Sequence, residues 1–172
     1  MINNTKLICF FGPESTGKSV MAQRMAEYYQ TAYVPEVARE IVSSNNFTLD
    51  DIIKIGRAQT ERVIEKTKTA NKLLFCDTDL ITTQIYSRYY LHTVPPILFE
   101  LEKRISYDHY FLFDVDVPWV ADGMRDLAKR DQRKEMYNLF KDELINRKLN
   151  FTSVSGDWQN REKVIVEFLL SF

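Results

Sequence analysis

The chain has 172 residues, of which 45% are apolar and 27% charged, and its formal net charge is −1 at pH 7. This length suits one domain, and the apolar share excludes a disordered chain. A nearly neutral protein gives no electrostatic reason to expect a nucleic-acid partner. The sequence contains neither the run of roughly 20 apolar residues that a membrane span needs nor a secretory signal pattern. We therefore expect one cytoplasmic domain over residues 1–172, while its oligomeric state stays open.

Short apolar runs alternate with helical patterns in the N-terminal half. The first strand is predicted over 7–11. A glycine-rich loop follows it, and then a helix in which apolar residues recur at i, i+4 spacing. A second short strand is predicted over 32–34. Thr48, with an acidic residue three positions on, predicts the N-cap of a long amphipathic helix that ends near Asn71.

The C-terminal half continues this alternation. A helix that follows Asp79 must stop before Pro95-Pro96, because proline cannot continue it. Strands separated by helices need crossover connections, which predicts an α/β fold with a mostly parallel, doubly wound sheet covered on both faces. The further predicted elements are strands over 73–76, 110–113 and 151–154, and helices around 97–105, 136–144 and 164–169.

The segment Gly12 to Ser19 reads Gly-Pro-Glu-Ser-Thr-Gly-Lys-Ser and matches the phosphate-loop pattern G-x-x-x-x-G-K-[ST]. Glycines permit a tightly curved loop whose backbone N–H groups converge on a triphosphate. Lys18 is expected to reach the β- and γ-phosphates, and Ser19 to offer its hydroxyl to Mg²⁺. The pattern does not separate ATP from GTP. We expect nucleotide contacts from Gly12, Glu14, Ser15, Thr16, Gly17, Lys18, Ser19 and Val20.

Such a loop also needs a carboxylate at the end of a neighbouring strand to hold Mg²⁺. Asp77 and Asp114 both follow apolar strands. We favour Asp77, because a wholly apolar run precedes it, and interpret Asp114 as part of a turn. The residue after Asp77 is Thr78 rather than the Glu that many ATP hydrolases carry there. This favours transfer of phosphate to an acceptor over hydrolysis.

A kinase must also orient the hydroxyl that accepts the phosphoryl group. Glu36 and Asp79 are the candidate carboxylates at the ends of the second and third strands. Glu36 and Arg39 stand at i, i+3 spacing and either face the acceptor or form an ordinary surface ion pair at a helix start. The side chains of Thr82, Thr83 and Gln84 either form hydrogen bonds to a sugar or belong to ordinary helix residues.

The charged segment 116–135, called the lid segment below, is either a solvated surface or a mobile flap that carries cations to the phosphates. The candidate cations are Arg125, Arg130 and Arg133. Arg125 comes first, because Gly123 offers a hinge beside it, and Arg130 is expected to contact the nucleotide as well. Trp119 either stacks on a planar substrate ring or anchors the lid segment.

The cysteines and histidines do not predict further chemistry. Cys9 and Cys76 stand in apolar runs without a second ligand at metal spacing, so we expect buried free thiols. His92 and His109 have no partner at useful spacing and are expected to be structural.

Four segments resemble the nicotinamide riboside kinase domain of the NadR-type bacterial NAD-biosynthesis regulators. They are the loop 12–19, the Glu-x-x-Arg element of Glu36 and Arg39, the Asp-Thr-Asp-x-Ile-Thr-Thr-Gln segment 77–84, and the Trp-Val-x-Asp-Gly-x-Arg segment 119–125. The last two are more specific than the phosphate loop, which many families share. The similarity extends over nearly the whole chain.

The resemblance implies a P-loop kinase fold with a five-stranded parallel sheet of order 2-3-1-4-5. It also implies that ATP and Mg²⁺ serve to phosphorylate the 5′-hydroxyl of nicotinamide riboside, giving nicotinamide mononucleotide. Glu36, Arg39, Asp79, Thr82 and Trp119 would then bind the riboside. The expected catalytic groups are Lys18, Glu36, Asp79 and Arg125. The DNA-binding and nucleotidyltransferase regions of the full-length regulators are not expected here.

Two alternatives stay open. One is an ATPase or ATP-binding switch that acts on a protein partner. The other is a kinase for a different nucleoside or for a nucleotide, which would need further cations around the acceptor phosphate. Arg39 and Arg57 are the only obvious cations in the part of the sequence expected to bind the acceptor.

Overall fold

A five-stranded parallel sheet forms the centre of the computed structural model, which describes residues 5–172. Residues 1–4 of the predicted domain 1–172 lie outside the described residues. The order β2-β3-β1-β4-β5 confirms the predicted fold class. The strands are β1 Lys6–Phe11, β2 Tyr33–Val34, β3 Leu73–Asp77, β4 His109–Phe113 and β5 Phe151–Val154.

Helices connect the strands and cover both faces of the sheet. They are α1 Lys18–Tyr28, α2 Ala38–Ile41, α3 Leu49–Thr67, α4 Leu80–Leu91, α5 Ile97–Glu102, α6 Arg130–Asn146 and α7 Trp158–Leu170. The predicted cap of α3 is present, since Asp51 N–H donates to the Thr48 hydroxyl at 3.2 Å. The helix ends at Thr67 rather than near Asn71. The helix start expected at Glu36 and Arg39 is present as the four-residue α2, whose length was not predicted because one helical turn shows no periodicity.

Alternate residues of β1 pack into two cores, because successive side chains of a strand face opposite sides of the sheet. Phe10 packs with Met21 and Met25 of α1 and with Ile165 of α7. Phe11 packs on the other face among residues of α4 and α6. This two-sided packing explains why the β1 sequence is continuously apolar rather than alternating.

The two predicted thiols and one of the two predicted structural histidines are buried. Cys9 and Cys76 are free and fully buried, which confirms the expectation. His109 is 5% exposed on β4, stacks on Phe168 with ring centroids 3.9 Å apart, and its Nε2 lies 3.0 Å from Thr152 Oγ1. Within residues 5–172, no helix is both long and apolar enough to span a bilayer.

The sheet topology sets the position of the site. β1 pairs with β3 on one side and with β4 on the other, in register Phe10↔Asp77 and Phe10↔Phe111. The chain therefore leaves β1 at the point where connections diverge to the two sides of the sheet, which is where α/β proteins bind ligands. Thr78 N–H donates to the Phe10 carbonyl at 3.0 Å, so the loops after β1 and β3 begin side by side.

Candidate active site

The backbone of the phosphate loop requires its two glycines. Gly12 has φ 134°, and a Cβ there would stand 2.8 Å from the Phe113 carbonyl oxygen. Gly17 has φ 85° and forms the N-cap of α1 in the left-handed conformation. Residues that carry a side chain rarely adopt either backbone conformation. The spacing of the two glycines in the motif therefore follows from the path of the backbone between β1 and α1.

Lys18 and Asp77 form a buried pair of opposite charge beside this loop. Lys18 Nζ donates to the Pro13 carbonyl at 2.5 Å and to Thr16 Oγ1 at 3.3 Å. Burial lowers the pKa of Lys18, and the charge of Asp77 opposes that shift. Burial likewise raises the pKa of Asp77 to about 6, against the opposing effects of Lys18 and of a hydrogen bond from Ser19.

The residues around Asp77 fit a magnesium ion. Asp77 is 1% exposed, and its Oδ1 has no hydrogen-bond partner among the described residues. A buried carboxylate oxygen without a partner is rare, and here it belongs to a side chain that also contacts the Ser19 hydroxyl. A hydroxyl and a carboxylate that hold Mg²⁺ largely through its waters are what a P-loop site uses. No cluster of three or more His, Cys, Asp or Glu side chains suited to a metal occurs within residues 5–172.

Asp114, the competing carboxylate, forms hydrogen bonds at the end of β4, as expected for a residue of a turn. Its Oδ1 accepts a hydrogen bond from Val115 N–H at 2.6 Å, and its own N–H donates to the Val154 carbonyl at 2.9 Å. These contacts connect the ends of β4 and β5, so Asp77 remains the better candidate for the metal.

A cleft of about 1080 Å³, counted out to its open mouth, joins the phosphate loop to a second region beside α2, α3 and α4. We call this second region the acceptor side. Its lining combines a small set of polar groups with an apolar wall, as small-molecule sites do. The acceptor side is lined by Glu36, Arg39, Val42, Phe47, Ile52, Ile55, Gln59, Thr82 and Thr83.

Most predicted site residues meet in this cleft, and four do not. Those on its lining are Gly12, Glu14, Ser15, Thr16, Gly17, Lys18, Ser19, Val20, Glu36, Arg39, Thr82 and Arg125. Asp77 lies behind the lining, next to Lys18. The structure places Asp79, Trp119 and Arg130 away from the lining, each for a separate reason.

Asp79 caps a helix instead of facing the acceptor side. Its Oδ1 accepts hydrogen bonds from Thr82 N–H at 3.0 Å and from Thr82 Oγ1 at 3.2 Å, and its Oδ2 accepts from the Tyr110 hydroxyl at 3.0 Å. It is 2% exposed and lines a second cavity behind the cleft. Burial raises its pKa to about 6, against these hydrogen bonds. The Asp three residues before Thr82 at a helix start is the sequence signal for such a cap.

Trp119 anchors the lid segment through a residue of the phosphate loop. Its indole Nε1 donates to Glu14 Oε1 at 3.1 Å, and Leu127 N–H donates to the same oxygen at 2.9 Å. Val120 N–H donates to Ser15 Oγ at 2.8 Å. The Glu14 carboxylate, expected to contact nucleotide, thus holds both ends of a loop of the lid segment.

The arginines of the lid segment differ in position. Arg125 lines the cleft, where its Nη1 donates to the Val120 carbonyl at 2.7 Å and its Nε lies 3.1 Å from Asp122 Oδ2. Arg130 is an exposed residue at the first position of α6 and does not line the cleft. Arg133 is buried and donates to the carbonyls of Val117 and Ser15.

An ion-pair network joins the acceptor side to the lid segment. Arg39 Nε donates to Glu36 Oε2 at 2.8 Å, and its Nη1 donates to Asp122 Oδ2 at 2.6 Å. Burial lowers the pKa of Arg39, but the two carboxylates outweigh it and raise that pKa above its usual range. The pair Glu36–Arg39 is therefore part of the cleft wall rather than an isolated surface pair.

Arg161 supports the phosphate loop from behind, and no sequence motif pointed to it. It is 1% exposed in α7 and donates to the carbonyls of Gly156, Thr16 and Asp114 at 2.8, 3.0 and 3.2 Å. It also pairs with Asp116 at the start of the lid segment. One buried guanidinium thus fixes the loop, the end of β4 and the base of the lid segment.

A family model described as an AAA domain matches residues 7–161. The chain belongs to this AAA domain family. The match begins in β1 and ends in α7, so it includes the phosphate loop, the acceptor side and the lid segment.

The AAA domain is also similar to the trifunctional NAD biosynthesis/regulator protein NadR of Escherichia coli strain K12. The two are 30% identical over 171 residues, which cover 95% of this chain and 42% of that protein. NadR of Salmonella typhimurium strain LT2 is 29% identical over the same share. The predicted resemblance to NadR-type regulators is confirmed, and the chain spans less than half the length of these relatives.

Solved structures share the fold of this AAA domain. NadR in complex with NAD and AMP-PNP matches with a TM-score of 0.81 and 18% identity, over 99% of this chain and 50% of that one. NadR in complex with NR matches with 0.77 and 21%, over 95% and 51%. Deoxyadenosine kinase from M. mycoides matches with 0.69 and 14%, over 96% and 100%. The fold is that of P-loop kinases.

Proposed function

We propose that the chain is an ATP- and Mg²⁺-dependent kinase that phosphorylates the ribose 5′-hydroxyl of nicotinamide riboside and releases nicotinamide mononucleotide and ADP. The observation that carries this proposal is the cleft itself. It continues from the phosphate loop into an acceptor side with an apolar wall, a carboxylate and an arginine. A site that only hydrolysed ATP would not need this second region. The similarity to NadR, of which one structure was solved with NR, supports the choice of riboside.

Lys18 and the loop backbone would bind the triphosphate. The loop follows β1 and opens α1, so its N–H groups and the positive end of the helix favour an anion. Lys18 Nζ, now on the Pro13 carbonyl, has rotatable bonds enough to turn toward the β- and γ-phosphates. Ser19 and Asp77 would hold Mg²⁺, which supplies neutralisation of phosphate charge when bound.

Glu36 is our candidate for orienting the acceptor hydroxyl and taking up its proton. It lines the cleft between the phosphate loop and the apolar wall, and Arg39 fixes its carboxylate at 2.8 Å. Asp79, the other carboxylate considered, has both oxygens occupied by hydrogen bonds and lies off the cleft. Thr82 and Thr83 line the same side and offer hydroxyls to a sugar.

Arg125 would supply the mobile cation that neutralises charge as the γ-phosphoryl group moves. It is the lid-segment arginine on the cleft lining, and its present partners are a backbone carbonyl and Asp122. Because Asp122 also binds Arg39, a shift of the lid segment would move this arginine relative to the acceptor side.

Two alternative functions are less well supported. A nucleotide acceptor would bring its own phosphate to the acceptor side, where Arg39 is already paired with two carboxylates and Arg57 does not line the cleft. A protein-directed switch would leave the apolar wall of the acceptor side without a purpose.

The test is Mg²⁺-dependent ADP release, with the product mass, across nicotinamide riboside, the common nucleosides and their monophosphates. We expect ADP release that depends on nicotinamide riboside, with a product heavier by one phosphate. A stronger response to a common nucleoside would keep the kinase and replace the acceptor. ADP release that ignores every acceptor would contradict the proposal and favour the switch.

A further inference from the structure

An unpaired amide borders the acceptor side. Gln59 lies in the middle of α3, is 3% exposed, and lines the cleft. Val37 N–H donates to its Oε1 at 3.4 Å. Since a backbone N–H can only donate, this contact assigns the oxygen end of the amide. The other end, Nε2, is buried and has no hydrogen-bond partner among the described residues.

The surroundings of Gln59 are mainly apolar side chains, against which the ring of a riboside can pack. Ile55 and Ile52 precede it by four and seven positions on α3 and therefore share its helix face. Val42 and Phe47 complete the apolar wall on the same lining. A buried donor in an otherwise apolar wall gives specificity, because a ligand that cannot accept its hydrogen bond leaves it unsatisfied.

We propose that Gln59 selects the acceptor by donating a hydrogen bond from Nε2 to a carbonyl or carboxamide oxygen on the planar ring of the riboside. The inference rests on the proposed function, since it needs a riboside on the acceptor side. The substrate class is a riboside whose ring carries an oxygen acceptor. A ring without such an oxygen would pack against the same apolar wall but would leave Nε2 without a hydrogen-bond partner.

A purely structural role for Gln59 is the competing explanation. Gln59 also lines the second cavity, together with Asp79 and Tyr110. If Nε2 is satisfied on that side, its loss lowers turnover of every riboside alike. The two roles therefore differ in whether the effect depends on the ring.

The experiment compares kcat/KM for nicotinamide riboside and for pyridine riboside, which has the same ring without the carboxamide. In the wild-type protein we expect a preference of roughly tenfold for nicotinamide riboside, the upper range for one buried hydrogen bond. Gln59→Met, of nearly equal size, should lower kcat/KM for nicotinamide riboside about three- to tenfold and change it less than about twofold for pyridine riboside. The preference should therefore largely disappear.

A second variant at Gln59 and a control variant elsewhere complete this test. Gln59→Glu keeps an oxygen toward Val37 but removes the amide donor, and it should lose the preference even if Gln59→Met folds poorly. Gln23→Met makes the same exchange on the exposed face of α1, where Gln23 pairs with Glu27, and should leave both rates as in the wild type. Thermal unfolding and ATP affinity verify that each variant is intact.

The outcomes separate the two proposals. A wild-type protein that phosphorylates ribosides, with Gln59 variants that keep the ring preference or lose both activities equally, would overturn the inference alone. A wild-type protein that phosphorylates no riboside would overturn the proposed function and the inference with it. Loss of preference with an intact fold supports both.

Discussion

Single residues of the phosphate loop are constrained by neighbours that are distant in sequence. Gly12 lies so close to the backbone of β4 that a Cβ at this position would clash with the Phe113 carbonyl oxygen. The Thr16 carbonyl accepts a hydrogen bond from Arg161 of α7 at 3.0 Å, and the Thr16 hydroxyl donates to the Pro13 carbonyl at 2.9 Å. The conformation of the loop therefore depends on the sheet and the last helix as well as on its own sequence.

Gly12→Ala should destabilise the protein more than the same exchange at another glycine with positive φ. The new Cβ would stand 2.8 Å from the Phe113 oxygen in a conformation with φ 134°, and the expected loss is roughly 2–4 kcal/mol. Gly123→Ala is the matched control, because φ is 84° there but nothing lies within 4 Å, so about 1 kcal/mol is expected. Urea unfolding measures both. Equal losses would contradict the close approach at Gly12.

Asp79 provides a second comparison between single residues, because capping and catalysis respond differently to Asp→Asn. Asparagine caps helices as well as aspartate does, so Asp79→Asn should retain turnover within about threefold. Asp79→Ala removes the cap of α4 and should cost about 1–2 kcal/mol of folding free energy. Steady-state rates with nicotinamide riboside and urea unfolding provide the two readings. A loss of about a hundredfold or more in Asp79→Asn would restore Asp79 as a catalytic group.

At the scale of elements, the lid segment is held to the phosphate loop mainly through one carboxylate. Glu14 accepts hydrogen bonds from Trp119 and Leu127, and burial raises its pKa above the usual value for a glutamate. The lid segment also contacts α2 through Asp122 and Arg39. Opening it therefore requires release from both the nucleotide side and the acceptor side of the cleft.

Glu14→Ala should loosen the lid segment without unfolding the sheet. Trypsin should cut faster within residues 116–135, and the KM for ATP should rise several-fold, because Arg125 is no longer held over the cleft. Glu27→Ala is the control, since Glu27 is exposed on α1 and pairs with Gln23 outside the cleft. Mass spectrometry of the early fragments locates the cuts. Unchanged cleavage within the lid segment would mean that Glu14 does not hold it.

Burial of His109 between β4 and α7 should make one contribution to stability depend on pH. Burial lowers the pKa of His109 to about 4 from an ordinary 6.5. As pH falls below 6.5, the unfolded chain takes up a proton that the folded chain does not, so this contribution to stability is present above 6.5 and is lost toward pH 4. Between pH 7 and 5 the loss is about 2 kcal/mol, at 1.36 kcal/mol per unit.

His109→Phe keeps an aromatic ring against Phe168 but cannot titrate, so it should remove most of this loss. Urea unfolding of both proteins at pH 7 and pH 5 measures the difference. The variant is expected to be less stable at pH 7, where the contact with Thr152 is missing. Because the carboxylates with raised pKa values, Asp77 and Asp79, titrate alike in both proteins, the difference in stability between wild type and variant should shrink by about 2 kcal/mol from pH 7 to pH 5. Identical pH dependence in the two proteins would contradict the burial argument.

At the scale of the whole molecule, patterns that are local in sequence predicted the fold well. The apolar runs located all five strands to within one residue at each end, and the cap at Thr48 located the start of α3. The strand order needed the family resemblance, since periodicity does not say which strands pair. The predicted end of α3 was wrong by four residues, because no glycine or proline marks Thr67.

The candidate site was predictable where a motif is contiguous and not where contacts join distant segments. Lys18 and Ser19 follow from the loop pattern. Whether Asp79 faces the cleft depends on Thr82 and Tyr110, and the role of Trp119 depends on Glu14, more than 100 positions away. Nothing near Arg161 in the sequence indicates a support for the loop.

The measurement that tests the central claim most directly compares nicotinamide riboside with its 5′-deoxy analogue under saturating MgATP. The analogue offers the acceptor side the same ring and ribose but has no hydroxyl to receive phosphate. We predict ADP and nicotinamide mononucleotide in equal amounts with the riboside, and only background ADP with the analogue. ADP formed at the same rate with both, or without either, would contradict phosphoryl transfer to a riboside.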